Sequence, residues 1–204
     1  MRIGSQIIGH INMQLISLFA LLGTAAVAVG QVTGPNVTTG ALGDAKEVRN
    51  NPVIGETWVS TFKSDAVKGT VKAVAHTVGI NYTLDVTGLV ADKGPYKYHI
   101  HVRATPESGN CTETGGHLDS YVRGDTPPCE STMPQTCEVG DLSGKYGTVA
   151  GPAVKKHFND KYTALNPIQL GYIGDRSIVF HDNTGARIAC ATLKKVEKHD
   201  DTCH

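Results

Sequence analysis

Apolar and polar positions begin to alternate at Val53, with a period of two, as strands with one buried face require. Trp58 to Phe62 is one such run, and Gly69 to Thr77 sets Val71, Ala73 and Ala75 against Lys72, Val74 and His76. Ile80 to Val86 alternates Ile, Tyr, Leu and Val with polar residues, and Val78-Gly79 lies between these runs as a tight hairpin turn. Gly94-Pro95 ends a loop before a strand over Tyr96 to Val102. Arg176 to His181 and Ala186 to Leu193 are further strands around Asp182-Asn183-Thr184-Gly185, a hairpin turn. Residues 103–152 carry Gly, Pro, Thr and Cys without a sustained period. They read as one long irregular loop, of the kind that is functional or cross-linked in compact domains. No amphipathic helix stands out. Short strands plus one large loop predict an all-β, antiparallel sandwich or barrel.

The ends of the chain read differently. Met13 to Gly30 is an apolar stretch closing in small residues, with Ala26-Val27-Ala28 fitting a small-x-small cleavage pattern, so 1–30 is expected to be an export signal. Residues 31–52 are rich in Thr, Gly and Asn and are expected to form a flexible leader. The domain is placed at 53–195 and a polar tail at 196–204. Lys+Arg and Asp+Glu are both 19. Removing the signal takes away only Arg2, so charge offers no argument for nucleic acid or an anionic membrane as partner.

All five cysteines (Cys111, Cys129, Cys137, Cys190, Cys203) follow the signal. In an exported chain an even subset forms disulfides, with a pairing that residue positions alone leave open. Asn36, Asn81 and Asn110 each open an N-x-Thr triplet, a possible glycan acceptor. No phosphate-binding loop, G-x-S-x-G elbow or C-x-x-C pair occurs.

The chemistry lies in the histidines. His99-Ile100-His101 sits on a strand, where residues two apart share a face, so both imidazoles can converge while Ile100 points away. His117 follows two glycines in the irregular loop, and His181 ends the Arg176–His181 strand. Four imidazoles on or beside strands, without an acidic ligand cluster, suit copper or zinc rather than magnesium or calcium.

Five blocks then stand in a telling order: Tyr98 to Val102 (YHIHV), Gly116 to Asp119 (GHLD), Val139 to Gly144 (VGDLSG), Gly174 to His181 (GDRSIVFH) and Arg187 to Cys190 (RIAC). Across roughly 53–195 they resemble the copper–zinc superoxide dismutase family. The resemblance implies a Greek-key barrel of about eight strands with a long disulfide-tied loop. It makes His99, His101, His117 and His181 copper ligands, Arg187 the group that guides the anion, and Cys111–Cys190 the intrasubunit disulfide. His117 is also the catalytic imidazole by that likeness.

Two departures matter. No histidine lies between Leu118 and Glu138, and Glu138 stands where the last zinc-binding histidine would fall. One imidazole with carboxylates makes a poor structural zinc site. Only residues 182–186 separate His181 from Arg187, where zinc-containing members carry a longer charged loop. Both features resemble the extracellular copper-only branch of fungi and related organisms, as does the segment Asp119 to Asp141 with Cys129 and Cys137. The expectation is therefore one copper ion, no zinc, and Cu(II)/Cu(I) cycling that turns superoxide into oxygen and hydrogen peroxide. A non-catalytic copper- or zinc-binding member of the same fold is the alternative. Glu138 is expected beside the distal nitrogen of His117, and Asp141 to orient another ligating ring. Arg187 at about 5 Å would attract an anion by roughly 3 kcal/mol at an effective dielectric near 20. A Cys111–Cys190 bond would close a loop of about 80 residues, worth about 4.5 kcal/mol, and Cys129–Cys137 one of about nine, worth about 2.6 kcal/mol. Cys203 is then left over. The partners expected are superoxide alone, with no nucleic acid, no membrane once the signal is removed, and a monomer or homodimer. The location expected is outside the cell or in its wall.

Overall fold

A computed structural model describes residues 44–197 of the 204. The expected signal, most of the leader with Asn36, and the end of the tail with His199, Cys203 and His204 lie outside the described residues.

The described chain forms eight strands: β1 (Thr57–Lys63), β2 (Lys68–Ala75), β3 (Ile80–Thr87), β4 (Lys97–His101), β5 (Ala153–Asp160), β6 (Ser177–His181), β7 (Arg187–Thr192) and β8 (Lys194–Lys195). They make two antiparallel sheets, ordered β5-β3-β2-β1-β8 and β4-β6-β7. The chain changes sheet between β3 and β4, β4 and β5, β5 and β6, and β7 and β8, which interlocks the layers. Trp58, Phe62, Val71, Ala73, Ile80, Tyr82 and Leu84 from the larger sheet meet Tyr98, Ile100, Ile178 and Phe180 from the smaller one in a single core. Phe62 and Phe180 pack edge to face at 5.2 Å between centroids, the arrangement favoured by aromatic quadrupoles.

β5 is the strand that hydrophobic alternation does not announce. It lies at the sheet edge, paired to β3 from Ala153 opposite Thr87 to Asp160 opposite Ile80. Its more buried positions are Val154, Lys156, Phe158, Asn159 and Asp160, so two of the five are charged. Each charge has its own solution. Lys156 reaches the Gly147 carbonyl at 3.1 Å. Asp160 pairs with the buried Lys145 ammonium and accepts the Tyr162 and Thr163 N–H groups at 2.9 and 2.7 Å.

The expected flexible leader reaches too far. Residues 44–52 pack onto the barrel, with Ala45 and Val48 buried. The Val48 N–H donates to Lys161 O, and its carbonyl accepts the Gly79 N–H, both at 2.8 Å. Buried Asn51 donates to Gly79 O and accepts the Leu165 N–H, also at 2.8 Å each. Polar composition hid this segment because it is held by main-chain and amide hydrogen bonds more than by apolar contacts.

Every residue of β6, and all of β4 after Lys97, is buried. Tyr98 and Ile100 face the core, so the opposite face, with His99 and His101, must be covered by something else. The cover is the long loop, which contains 3-10 turns at Cys111–Thr114 and Pro134–Thr136 and a short helix, α1 (Leu142–Tyr146). Disulfide Cys111–Cys190 ties it to β7, and Cys129–Cys137 closes a small ring within it. Arg123, almost fully buried, donates to the carbonyls of Thr136, Gly124, Pro127 and Pro128 and so braces the segment around the second disulfide.

Lys145 on α1 donates to Val139 O at 2.8 Å as well as to Asp160, with both side chains wholly inaccessible. Removing one partner of such a pair strands the other charge, at a cost of about 3–5 kcal/mol. Asp160→Ala is therefore expected to lower the unfolding free energy by about that amount in a urea titration. A loss below about 1 kcal/mol would contradict the buried pair.

Candidate metal centre

Three backbone hydrogen bonds assemble the site. Ile100 N–H donates to Gly140 O at 2.9 Å, Gly140 N–H to Leu118 O at 2.7 Å, and Leu118 N–H to Ile100 O at 2.7 Å. This closed triangle joins the strand carrying His99 and His101 to the segments carrying His117 and Glu138–Asp141. A Cβ on residue 140 would lie 2.4 Å from Ile100 O and 2.9 Å from Leu118 N. Only glycine allows the three chains to come this close.

The triangle brings His99, His101 and His117 together, and pairing of β6 with β4 adds His181, which lies opposite Lys97. One candidate ligand atom from each of the four lies within 4.8 Å of all the others. Among the described residues this is the one His/Cys/Asp/Glu group with such spacing.

Each ring has one nitrogen occupied by the protein. His101 Nδ1 lies 2.9 Å from Gly115 O and His181 Nδ1 lies 3.1 Å from Gly185 O. A carbonyl only accepts, so both rings carry their proton on Nδ1 and leave Nε2 as a lone pair. His117 Nδ1 meets Glu138 Oε2 at 2.6 Å, which directs its Nε2 inward in the same way. His99 is turned around. Its Nε2 sits 3.0 Å from Ser143 Oγ and 3.3 Å from Asp141 Oδ1, while Nδ1 is buried without a hydrogen-bond partner. His101 Nε2 and His181 Nε2 stand 3.3 Å apart. Two lone pairs facing at that distance, beside an orphaned buried nitrogen, form a donor set that a cation completes.

The electrostatics agree. Burial lowers His99 to about 4 despite the opposing hydrogen bond to Asp141. Burial lowers His101 to about 3, against the bond to Gly115 O, and it also lowers His181. These rings are neutral at ordinary pH, the form that ligates. Burial pushes Asp141 upward, but the His99 bond and charge and the Gly144 N–H outweigh it and lower its carboxyl to about 2. The His99–Asp141 contact is therefore a neutral imidazole N–H donating to a carboxylate. Asp141 also caps α1, accepting the Gly144 N–H at 2.7 Å.

Arg187, at the start of β7, donates through Nη1 to Cys111 O at 2.9 Å, Thr112 O at 3.1 Å and Thr114 Oγ1 at 3.2 Å. The Cys111–Cys190 bond joins the same two segments. On the far side of His99 and His117 lies a cavity of about 300 Å³ whose walls include Glu138, Asp141 and Ser143. The ring nitrogens directed to that side are those already held by Glu138, Ser143 and Asp141. Nitrogen ligands for a second, zinc-type site are thus missing among the described residues. Neither Ser143 nor Thr114 is marked as a site residue by the sequence, because a lone hydroxyl has no periodicity or spacing to single it out.

No protein-family model matches the chain. Among curated proteins it is similar to the cell surface Cu-only superoxide dismutase of Arthroderma benhamiae, 35% identical over 187 residues, covering 76% of this chain and 50% of that one. It is also 31% identical over 193 residues to the cell surface Cu-only superoxide dismutase 5 of Candida albicans, covering 93% of this chain and 74% of that one. The chain belongs to the copper–zinc superoxide dismutase family. A solved structure of the Candida albicans dismutase 5 in its Cu(II) form superposes with a TM-score of 0.65 at 32% identity, over 74% of this chain and 99% of that one. A further member, cell surface superoxide dismutase [Cu-Zn] 4 of the same organism, is 38% identical over 143 residues, or 70% of this chain and 60% of that one. The chain thus spans 50–60% of the length of two of these curated relatives. Within the family it has the eight-stranded two-sheet fold and a four-histidine cluster placed as a copper site requires.

Neutral buried rings make the metal-free protein acid-sensitive. The unfolded chain protonates these imidazoles near 6.5, whereas folded His99 and His101 hold out to about 4 and about 3. The unfolded state binds more protons between those values, so stability falls as pH drops below 6.5 and these rings contribute no slope above it. Asp141 acts lower down: its contribution is complete above 3.8 and is lost as pH falls towards about 2. Thermal unfolding of metal-free protein should show Tm declining from pH 6.5 downward; a Tm level down to about 4 would contradict neutral burial.

Proposed function

We propose that this chain is an exported, cell-surface or secreted superoxide dismutase that uses one copper ion and no zinc. The single observation that carries the reading is the set of four inward-facing imidazole nitrogens, His99 Nδ1 with Nε2 of His101, His117 and His181. These four residues would hold the metal. Copper bound there would supply the alternation between two oxidation states that lets two superoxide ions be converted together. With two protons taken up, the net products are one oxygen and one hydrogen peroxide.

The protein's own groups do the rest. Arg187 presents its guanidinium to the incoming anion and is held by three acceptors, so it adds charge without wandering. The hairpin 182–185 is short, closed by the Asp182 N–H to Ala186 O at 3.0 Å. No long charged loop intervenes between His181 and Arg187. Glu138 holds the proton on His117 Nδ1, where a zinc-containing member would have a metal. That contact fixes the ring and offers a carboxylate through which a proton can pass to or from the imidazole. Asp141 and Ser143 hold His99 through Nε2. Asn81 and Asn110 are exposed, as glycan acceptors on an exported chain must be.

The test is superoxide decay by purified, copper-reconstituted protein. Wild type is expected to accelerate it far above buffer, and His181→Ala to abolish the acceleration. Arg187→Ala should keep copper but lose about tenfold in rate, with a flatter ionic-strength dependence. Copper held by three or four nitrogens with decay no faster than buffer would replace the enzyme by a copper-binding protein. Glu138→Ala, which strips the His117 ring of its acceptor, should cost about 10–100-fold in activity or copper affinity. Unchanged values for both would remove Glu138 from the site.

A further inference from the structure

The Thr114 hydroxyl is completely buried and has three polar neighbours. It donates to Cys111 O at 2.7 Å, which uses its one proton. The other two neighbours must then be donors to its lone pairs. One is Arg187 Nη1 at 3.2 Å, and the other is His101 Nδ1 at 3.2 Å, whose N–H is shared with Gly115 O. The two groups that meet on this single oxygen are the guanidinium read as drawing in superoxide and a ring read as holding copper.

We infer that Thr114 is a positioning residue that locks Arg187 and His101 to one another, so that anion guidance and metal ligation share one geometric reference. This rests on the superoxide dismutase reading above and adds to it a residue that touches neither metal nor substrate. Together with Gly115 O, the hydroxyl holds His101 in the Nδ1–H form, with Nε2 free for the metal. It also gives Arg187 a third acceptor beside the carbonyls of Cys111 and Thr112. The disulfide at Cys111 anchors the 3-10 turn Cys111–Thr114 that carries the hydroxyl, so its place is set from both ends.

The experiment compares wild type with Thr114→Val, which keeps the shape and deletes the hydroxyl, Thr114→Ala, a second hydroxyl-free variant, and Thr114→Ser, which retains it. Three readouts are taken. Long-range proton–nitrogen spectra of the metal-free protein report the His101 tautomer. Cu(II) electron paramagnetic resonance reports ligand geometry. Superoxide decay across a salt series reports steering. Val and Ala are expected to mix the His101 tautomers, shift the Cu(II) hyperfine pattern, and slow decay about three- to tenfold with a shallower salt slope. Ser is expected to restore all three. Wild-type tautomer, spectrum and salt slope in both Val and Ala would overturn the inference. So would failure of both to fold while Ser folds, because the hydroxyl would then be structural only. Should wild type itself leave superoxide decay unchanged, the enzyme reading fails while the tautomer spectra still decide whether Thr114 positions His101.

Discussion

The structure depends on how ring protons are disposed of. An imidazole has two nitrogens, and a metal site needs one of them bare on every ring. Here Gly115 O, Gly185 O and Glu138 take the Nδ1 proton of His101, His181 and His117, and Asp141 with Ser143 takes the Nε2 proton of His99. Four lone pairs are left pointing into one small volume, and burial keeps at least three of the rings uncharged. Bringing lone pairs together costs energy in the absence of a cation. The scaffold must be stiff enough to impose that arrangement, and much of its detail reads as the means of doing so.

That stiffness is built in a region with almost no regular secondary structure. Backbone groups replace sheet ladders there: the Ile100–Gly140–Leu118 triangle, the Arg123 guanidinium on four carbonyls, and two disulfides. The buried Lys145–Asp160 pair ties α1, whose cap is Asp141, to the edge strand β5. Asp141 thereby belongs to a chain of contacts from the barrel edge to His99. A network this polar tolerates burial because nearly every member has its partner.

The His117–Glu138 contact shows how a carboxylate can fix a ring from the side opposite the copper-site nitrogens. The carboxylate aims the ring by accepting from Nδ1 and offers the second metal position no nitrogen ligand. Asp141, also in the wall of the cavity beside His99 and His117, is committed to His99, Ser143 and the α1 cap. The site that remains is built for one ion.

The amino-acid pattern alone determined six of the eight strands to within a few residues, because their inner faces are filled with Val, Ile, Leu, Tyr and Phe at a period of two. It also picked out the four histidines, Arg187 and Asp141, because each stands in a block whose order along the chain is specific, and Glu138, because it stands just before one of those blocks where a histidine would be expected. It missed β5, whose inner face includes Lys156 and Asp160, and the two-residue β8, and it placed the start of the ordered chain too late, since 44–52 is held by hydrogen bonds that leave no mark on hydropathy. Which nitrogen of each ring is bare, and the convergence of Thr114, His101 and Arg187 on one oxygen, only tertiary structure decided. Those facts depend on distances between segments more than 70 residues apart in sequence, and a one-dimensional pattern records which groups are present but not which of them share a proton.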